Sequence, residues 1–169
     1  KFAIDFYQNF VFSDPHWDYR DYDFANWKQD TAKVSAMLDA TSTDLSEFKK
    51  HNGKIIFWTG WSDHLITALG TVDYYDELSA VDSEVNQYSR LYMLPGMFHC
   101  GGGPAPDRAD WLEAIRAWVE DGKAPERLVS QQRDKSGRIT RTRPICPYPQ
   151  IAAYNGKGNP NDESNFTCK

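Results

Sequence analysis

The sequence predicts an α/β fold with parallel strands, on three observations. Residues 54–59 set five consecutive β-favouring residues after a lysine, a run that suits a parallel strand covered on both faces. A second apolar run, Leu91, Tyr92, Met93 and Leu94, is stopped by Pro95 and Gly96. Helical periodicity lies between these runs and again after the second. Strand, helix, strand, helix in that order is a βαβ unit with a right-handed crossover. Ligands of such sheets bind beyond the carboxyl ends of the strands.

Taken in order, residues 1–25 are crowded with aromatics and aspartates and show no sustained period. Phe10, Val11 and Phe12 fit a short strand turned by Ser13-Asp14-Pro15. The rest reads as an irregular segment whose rings pack onto something else. The aspartates lack the D-x-D-x-D-G spacing of a calcium loop and read as solvated turn acids. Asn26 is placed to cap a helix over 27–40, with Val34, Met37 and Leu38 on one face. Asp44 and Glu47 fit a capping box for a short helix that ends near Lys49 and Lys50, with Gly53 as terminator. After the 54–59 strand and Gly60, a helix over 64–79 would turn Leu65, Leu69, Val72 and Tyr74 or Tyr75 inward. The helix over 107–120 carries a stripe of Trp111, Leu112, Ile115, Trp118 and Val119, and Asp121-Gly122 ends it. Beyond it, Leu128-Val129 and Ile139 suit a small hairpin, 144–149 is extended and 155–165 is loop. Cys146 and Cys168 bracket that loop and are expected to close it as a disulfide worth about 3 kcal/mol in the loop-entropy account. There is no internal repeat, and no second domain is evident.

Composition narrows the function classes. The chain of 169 residues is 40% hydrophobic and 14% aromatic, enough for one real core. A net charge of −5 argues against nucleic acid, whose phosphates need clustered Lys and Arg. The one basic cluster, Arg138 to Arg143, reads as a solvated face. No apolar run approaches the roughly 20 residues that span a bilayer. The chain begins at Lys1 without a signal peptide, as expected of a mature, truncated or cut chain. Three cysteines leave one over, which in a secreted chain means a free thiol or an intermolecular bridge. Asn165-Phe166-Thr167 is the one N-x-S/T sequon, a candidate glycosylation site at Asn165. Together these features point to an extracellular protein.

The candidate chemistry sits after the two strands. Asp63 follows the first and His99 the second, and acid then histidine is the order of the last two members of an α/β-hydrolase triad. In that arrangement the carboxylate orients the imidazole, and the imidazole takes the serine proton. Gly60-Trp61-Ser62-Asp63 begins like a G-x-S-x-G elbow, but position 64 is His. Ser62 therefore reads as a turn or N-cap residue, and no other serine sits in an elbow. A zinc site from Asp63, His64, His99 and Cys100 has suitable ligand types, but neighbouring His99 and Cys100 do not easily share a direction. His16 and His51 read as surface residues. Gly101 to Gly103 lack the lysine of a phosphate loop and read as room for the His99 loop to turn.

Four stretches resemble the tannase and feruloyl esterase family: Gly60-Trp-Ser-Asp-His-Leu-Ile66, Pro95-Gly-Met-Phe-His-Cys-Gly-Gly-Gly103, Arg143-Pro-Ile-Cys-Pro-Tyr-Pro149 and Phe166-Thr-Cys168. The resemblance runs over nearly the whole chain. It implies the C-terminal portion of an α/β-hydrolase fold, incomplete without its N-terminal part. In that frame 1–25, with Asp18 among its aromatics, is the end of a lid where the chain re-enters the core, and 26–169 is the C-terminal part of the catalytic domain. The resemblance makes Asp63 the triad acid and His99 the base. It pairs Cys100 with a cysteine beside a serine outside this chain, and Cys146 with Cys168. It implies no cofactor for catalysis, and a structural calcium in the lid, also outside this chain. The expected partner is the N-terminal part of the same enzyme, disulfide-linked through Cys100, and the expected substrate is a small aromatic ester.

The reading that follows is a secreted serine esterase acting on aromatic-acid esters, inactive as this chain alone. Feruloyl esters are favoured over galloyl esters of tannins or a terephthalate monoester. Ile66, about a helical turn past Asp63, is a candidate for lining the acyl pocket; the plain alternative is packing under the sheet. The rival from another class is a non-catalytic module that holds aromatic or glycan ligands through its Trp and Tyr rings.

Overall fold

A computed structural model describes all of residues 1–169, in two compact units, 1–42 and 43–169. In the first unit, α1 (Phe2–Phe6) runs into a single π-helical turn over Tyr7–Val11, and α2 spans Trp27–Leu38. The strand expected at Phe10–Phe12 does not form: Phe10 and Val11 are helical and Phe12 follows as a bend. The reason lies in the rings, which pack on one another rather than along a sheet. Tyr7 stacks on Trp17 at 4.9 Å between centroids and meets Tyr22 edge-on at 5.2 Å, and Phe12 stacks on Trp17 at 5.7 Å. A helical turn brings Tyr7 and Phe12 to one cluster, whereas alternation along a strand would part them. Asn26 precedes α2 in helical conformation without a capping bond. Asp18 and Asp23 close the short turns before it, accepting from the amides of Arg20 and Ala25.

In the second unit α3 (Ser46–Lys50) is a short helix. The capping box does not form: Asp44 accepts from the amide of Ser46 instead. Its end is made by Asn52, which takes the left-handed conformation at φ 58°. Gly53 then donates to the carbonyl of Phe48. Next come β1 (Ile55–Gly60), α4 (Ala68–Val81) and β2 (Ser89–Leu94). The two strands are parallel and in register from Ile55 opposite Ser89 to Gly60 opposite Leu94. Then α5 (Trp111–Asp121) ends at left-handed Gly122. Its cap is Asp110, which accepts from the amide of Glu113. The antiparallel hairpin β3 (Leu128–Arg133) and β4 (Ile139–Ile145) follows, then the small pair β5 (Ala152–Tyr154) and β6 (Phe166–Cys168). A disulfide joins Cys146 to Cys168. No helix is long and apolar enough to cross a membrane.

The core is built on both faces of β2. Leu91 packs with Val72, Tyr75, Leu78, Val85 and Tyr88 on the side of α4. Tyr92 and Leu94 pack with Met97 and Ile145 on the other, alongside Trp111 and Leu128. Burial on both faces thus holds for β2. It does not hold for β1, where Trp58 stacks on Trp111 yet stays 45% exposed.

Two apolar stripes fall differently from the sequence expectation. The helix after β1 begins at Ala68, not 64, so Ala68, Val72, Tyr75 and Leu78 face inward while Leu65 and Leu69 are exposed. In α5, Ala114 and Trp118 are buried, but Leu112 and Val119 face outward.

Candidate active site

The site is assembled where β1 and β2 end. Their carboxyl ends lead into two loops that cross-link at once: the amide of Trp61 donates to Leu94, and that of Ser62 to the carbonyl of Met97. Gly60 makes this approach feasible. A Cβ at that position would stand 2.1 Å from the Met97 carbonyl oxygen, far inside contact distance. Gly103 serves the loop after β2 in the same way, since a Cβ there would meet the Gly96 oxygen at 2.1 Å.

Asp63 is the hub of the first loop. One carboxylate oxygen accepts from the amides of Leu65 (2.8 Å) and Ile66 (3.0 Å). That turn occupies the residues expected to start the helix and explains its later beginning. The other oxygen lies 2.9 Å from His99 Nδ1. The Asp63 side chain is only 6% exposed, while His99 is 41% exposed. The Ile66 amide, with His99 and the Leu65 amide, holds the Asp63 carboxyl down to about 2 against the opposing effect of burial. An ionised carboxylate only accepts, so in the neutral imidazole the proton sits on Nδ1 and the lone pair on Nε2. That tautomer leaves Nε2 able to take a proton from a hydroxyl.

The second loop is held by its backbone. Phe98 N–H donates to the Gly102 carbonyl, and Gly102 N–H donates to the Asp107 carboxylate at 2.6 Å. The amides of Asp107 and Arg108 both donate to Gln131 on β3, tying the far end of the loop to the hairpin. The ring of Phe98 meets that of His64 edge-on at 5.7 Å, joining the two loops beside the Asp63–His99 hydrogen bond. Cys100, next to His99, is an exposed free thiol at φ 59°, a conformation that costs a side-chain-bearing residue roughly 1–2 kcal/mol.

Of the residues singled out from the sequence, Asp63 and His99 are brought together. Ile66 is 59% exposed and lines a depression with Asp63, Trp61 and Leu69, so it does not pack under the sheet. Ser62 is an exposed turn residue. His64 turns to Phe98, and no group of three or more His, Cys, Asp or Glu side chains forms that could hold a metal ion. Asn165 is half-buried, and its amide nitrogen, the atom a glycan would take, donates to the Asn159 carbonyl at 3.0 Å. The close approach of Gly60 to Met97 and the bond of Asp107 to Gly102 were not visible in the sequence, because no local pattern reveals such contacts. His16 and His51 are exposed.

Residues 1–169 match the protein family described as tannase and feruloyl esterase. The chain is 47% identical over 131 residues to mono(2-hydroxyethyl) terephthalate hydrolase of Piscinibacter sakaiensis, covering 76% of this chain and 22% of that protein. It is 30% identical over 188 residues to feruloyl esterase C of Talaromyces stipitatus, covering 99% of this chain and 35% of that one. Among solved structures, feruloyl esterase B from Aspergillus oryzae superimposes with a TM-score of 0.88 at 25% identity, over 99% of this chain and 37% of its own. Tannin acyl hydrolase from Aspergillus niger shares the fold at a TM-score of 0.75 and 19% identity, over 98% of this chain and 32% of its own. The chain thus spans about a third or less of the length of the proteins it matches.

Proposed function

Because the chain belongs to the tannase and feruloyl esterase family, we propose that it supplies the acid and the base of a secreted serine esterase whose nucleophile lies outside these 169 residues. One observation carries this reading: a buried, ionised Asp63 bonded to Nδ1 of a half-exposed His99 at the ends of adjacent parallel strands. In this mechanism His99 Nε2 takes the serine proton as the hydroxyl oxygen attacks the ester carbonyl. The imidazolium, stabilised by Asp63, then returns the proton to the departing alcohol. Water repeats the sequence on the acyl-enzyme, and the aromatic acid leaves.

Exposed Trp61, Leu65, Ile66 and Leu69 surround Asp63 and offer an apolar wall for the ring of an aromatic ester. Feruloyl and related cinnamoyl esters remain the favoured substrates. The 47% identity to a terephthalate monoester hydrolase supports the second reading, a terephthalate monoester. Cys100 would bridge to a cysteine beside the serine and fix the base loop to the nucleophile. The calcium implied by the family would sit in the lid, beyond this chain.

The test is a panel of methyl ferulate, methyl gallate and mono(2-hydroxyethyl) terephthalate offered to the full-length protein. Hydrolysis of at least one is expected, with the fastest naming the class. No hydrolysis of any would reject the esterase and leave the non-catalytic binding module. Non-reducing mass spectrometry of the same protein should find Cys100 disulfide-bonded; a free thiol there removes the tether.

A further inference from the structure

The basic cluster at 138–143 takes no part in the Asp63–His99 chemistry, and only part of it is the solvated face expected of it. Arg138 is: it pairs with Asp134 at 3.1 Å at the exposed hairpin turn. Arg141 and Arg143 are not. Two apart on β4, they project from the same face, and both are half-buried. Both line a cavity of about 370 Å³ that is also bounded by Trp61, Leu94, Tyr148 and Phe166. Small-molecule pockets fall at roughly 300–1,000 Å³.

Neither guanidinium has a carboxylate. Arg141 donates through Nε to Asn161 Oδ1 at 3.2 Å and through Nη1 to the Pro104 carbonyl at 3.4 Å. Arg143 donates through Nη1 to the Thr142 carbonyl at 2.8 Å, and its guanidinium carbon lies 4.5 Å from the centre of the Phe166 ring. Every acceptor is neutral. Arg127, just before β3, by contrast holds Glu163. Two half-buried like charges without an anion are unfavourable, and burial first, then the charge of Arg141, lowers the pKa of Arg143 from its ordinary value. The unused N–H groups keep the fork geometry that matches a carboxylate. The walls beside them are rings and aliphatic side chains.

We infer that this cavity binds an aryl carboxylate, with the carboxylate on Arg141 and Arg143 and the ring between Trp61, Tyr148 and Phe166. An acid released from an aromatic ester has this chemistry, as does a terephthalate monoester through its free carboxyl; a neutral ester such as methyl ferulate lacks the charge. The assignment rests on the cavity and its two cations, and stands whether or not Asp63 and His99 serve an esterase.

The test is calorimetric titration of the full-length protein carrying His99→Ala, which holds turnover out of the measurement. Ferulate and methyl ferulate are the probes. R141Q/R143Q should remove one bound equivalent of ferulate and leave methyl ferulate binding unchanged. If the double variant does not fold, R141Q alone should weaken ferulate binding roughly tenfold or more, the scale of a lost charged hydrogen bond. Crystals soaked with ferulate should show its carboxylate against both arginines. Equal ferulate stoichiometry with and without the arginines overturns the assignment. So does a full-length structure in which the protein's own chain fills the cavity.

Discussion

At the scale of single residues, Asp63 does two jobs with one carboxylate. It accepts two amides of its own turn and the Nδ1 proton of His99. Replacing it with Asn keeps the size but no longer imposes the Nδ1–H tautomer, and in the full-length enzyme kcat should fall about 10⁴-fold with KM little changed. Ester-hydrolysis kinetics check this, and a loss under about tenfold would argue that His99 needs no orienting acid. The same hydrogen bonds set a pH dependence. The folded pKa of about 2 lies below the ordinary 3.8, so the unfolded chain binds the proton more readily. The stabilisation is complete above 3.8 and is lost as pH falls toward 2. Urea unfolding of parent and Asp63→Asn should therefore differ by a constant amount above pH 3.8 and converge below it. A gap that widens in acid would contradict the assignment. The pair itself was legible in the sequence, since an acid and then a histidine close two successive apolar runs. Asp107 was not: its carboxylate matters only because the loop returns Gly102 to it.

At the scale of elements, the site depends on two loops coming within contact of each other. Gly60→Ala puts a methyl 2.1 Å from the Met97 carbonyl, so the His99 loop must move. A displacement near 1 Å costs on the order of 10²-fold in rate, and kcat of the full-length variant should drop by about that much while its circular dichroism stays native. Unchanged kcat would show that the loops tolerate separation. Further along, the Cys146–Cys168 bridge closes a loop with a sequence separation of 22. Replacing both cysteines with serine should lower stability by about 3 kcal/mol in denaturant titrations. Strands and helices were legible as types because β-favouring runs and helical spacing are local. Their edges were not, because side chains competed for the backbone. Asp63 took the first turn that would have opened α4, and Asn52 took the left-handed position that Gly53 was expected to fill. Ring-on-ring packing of Tyr7, Phe12 and Trp17 overrode the strand reading of 10–12 for the same kind of reason, a tertiary contact outweighing local propensity.

At the scale of the whole molecule, the parallel sheet has two strands, and large apolar side chains stand exposed around it, among them Trp58, Trp61, Leu65, Ile66 and Leu69. Parallel sheets are found covered on both faces, and large exposed apolar side chains beside one sheet leave surface for a further part of a protein to cover. The chain produced on its own should bind a hydrophobic dye strongly and hydrolyse none of the three esters; turnover by the isolated chain would place a nucleophile within it. The family and the Asp63–His99 pair were legible because the two motif loops are short and dense, whereas the placement of Arg141 and Arg143 along one cavity emerged only from β4. The central claim is that His99, held by Asp63, is the base of a serine esterase. The most direct measurement is kcat for methyl ferulate, methyl gallate and mono(2-hydroxyethyl) terephthalate by the full-length protein with and without His99→Ala. His99→Ala should cost at least about 10³-fold on every ester the parent cleaves; turnover within tenfold of the parent would rule His99 out as the base.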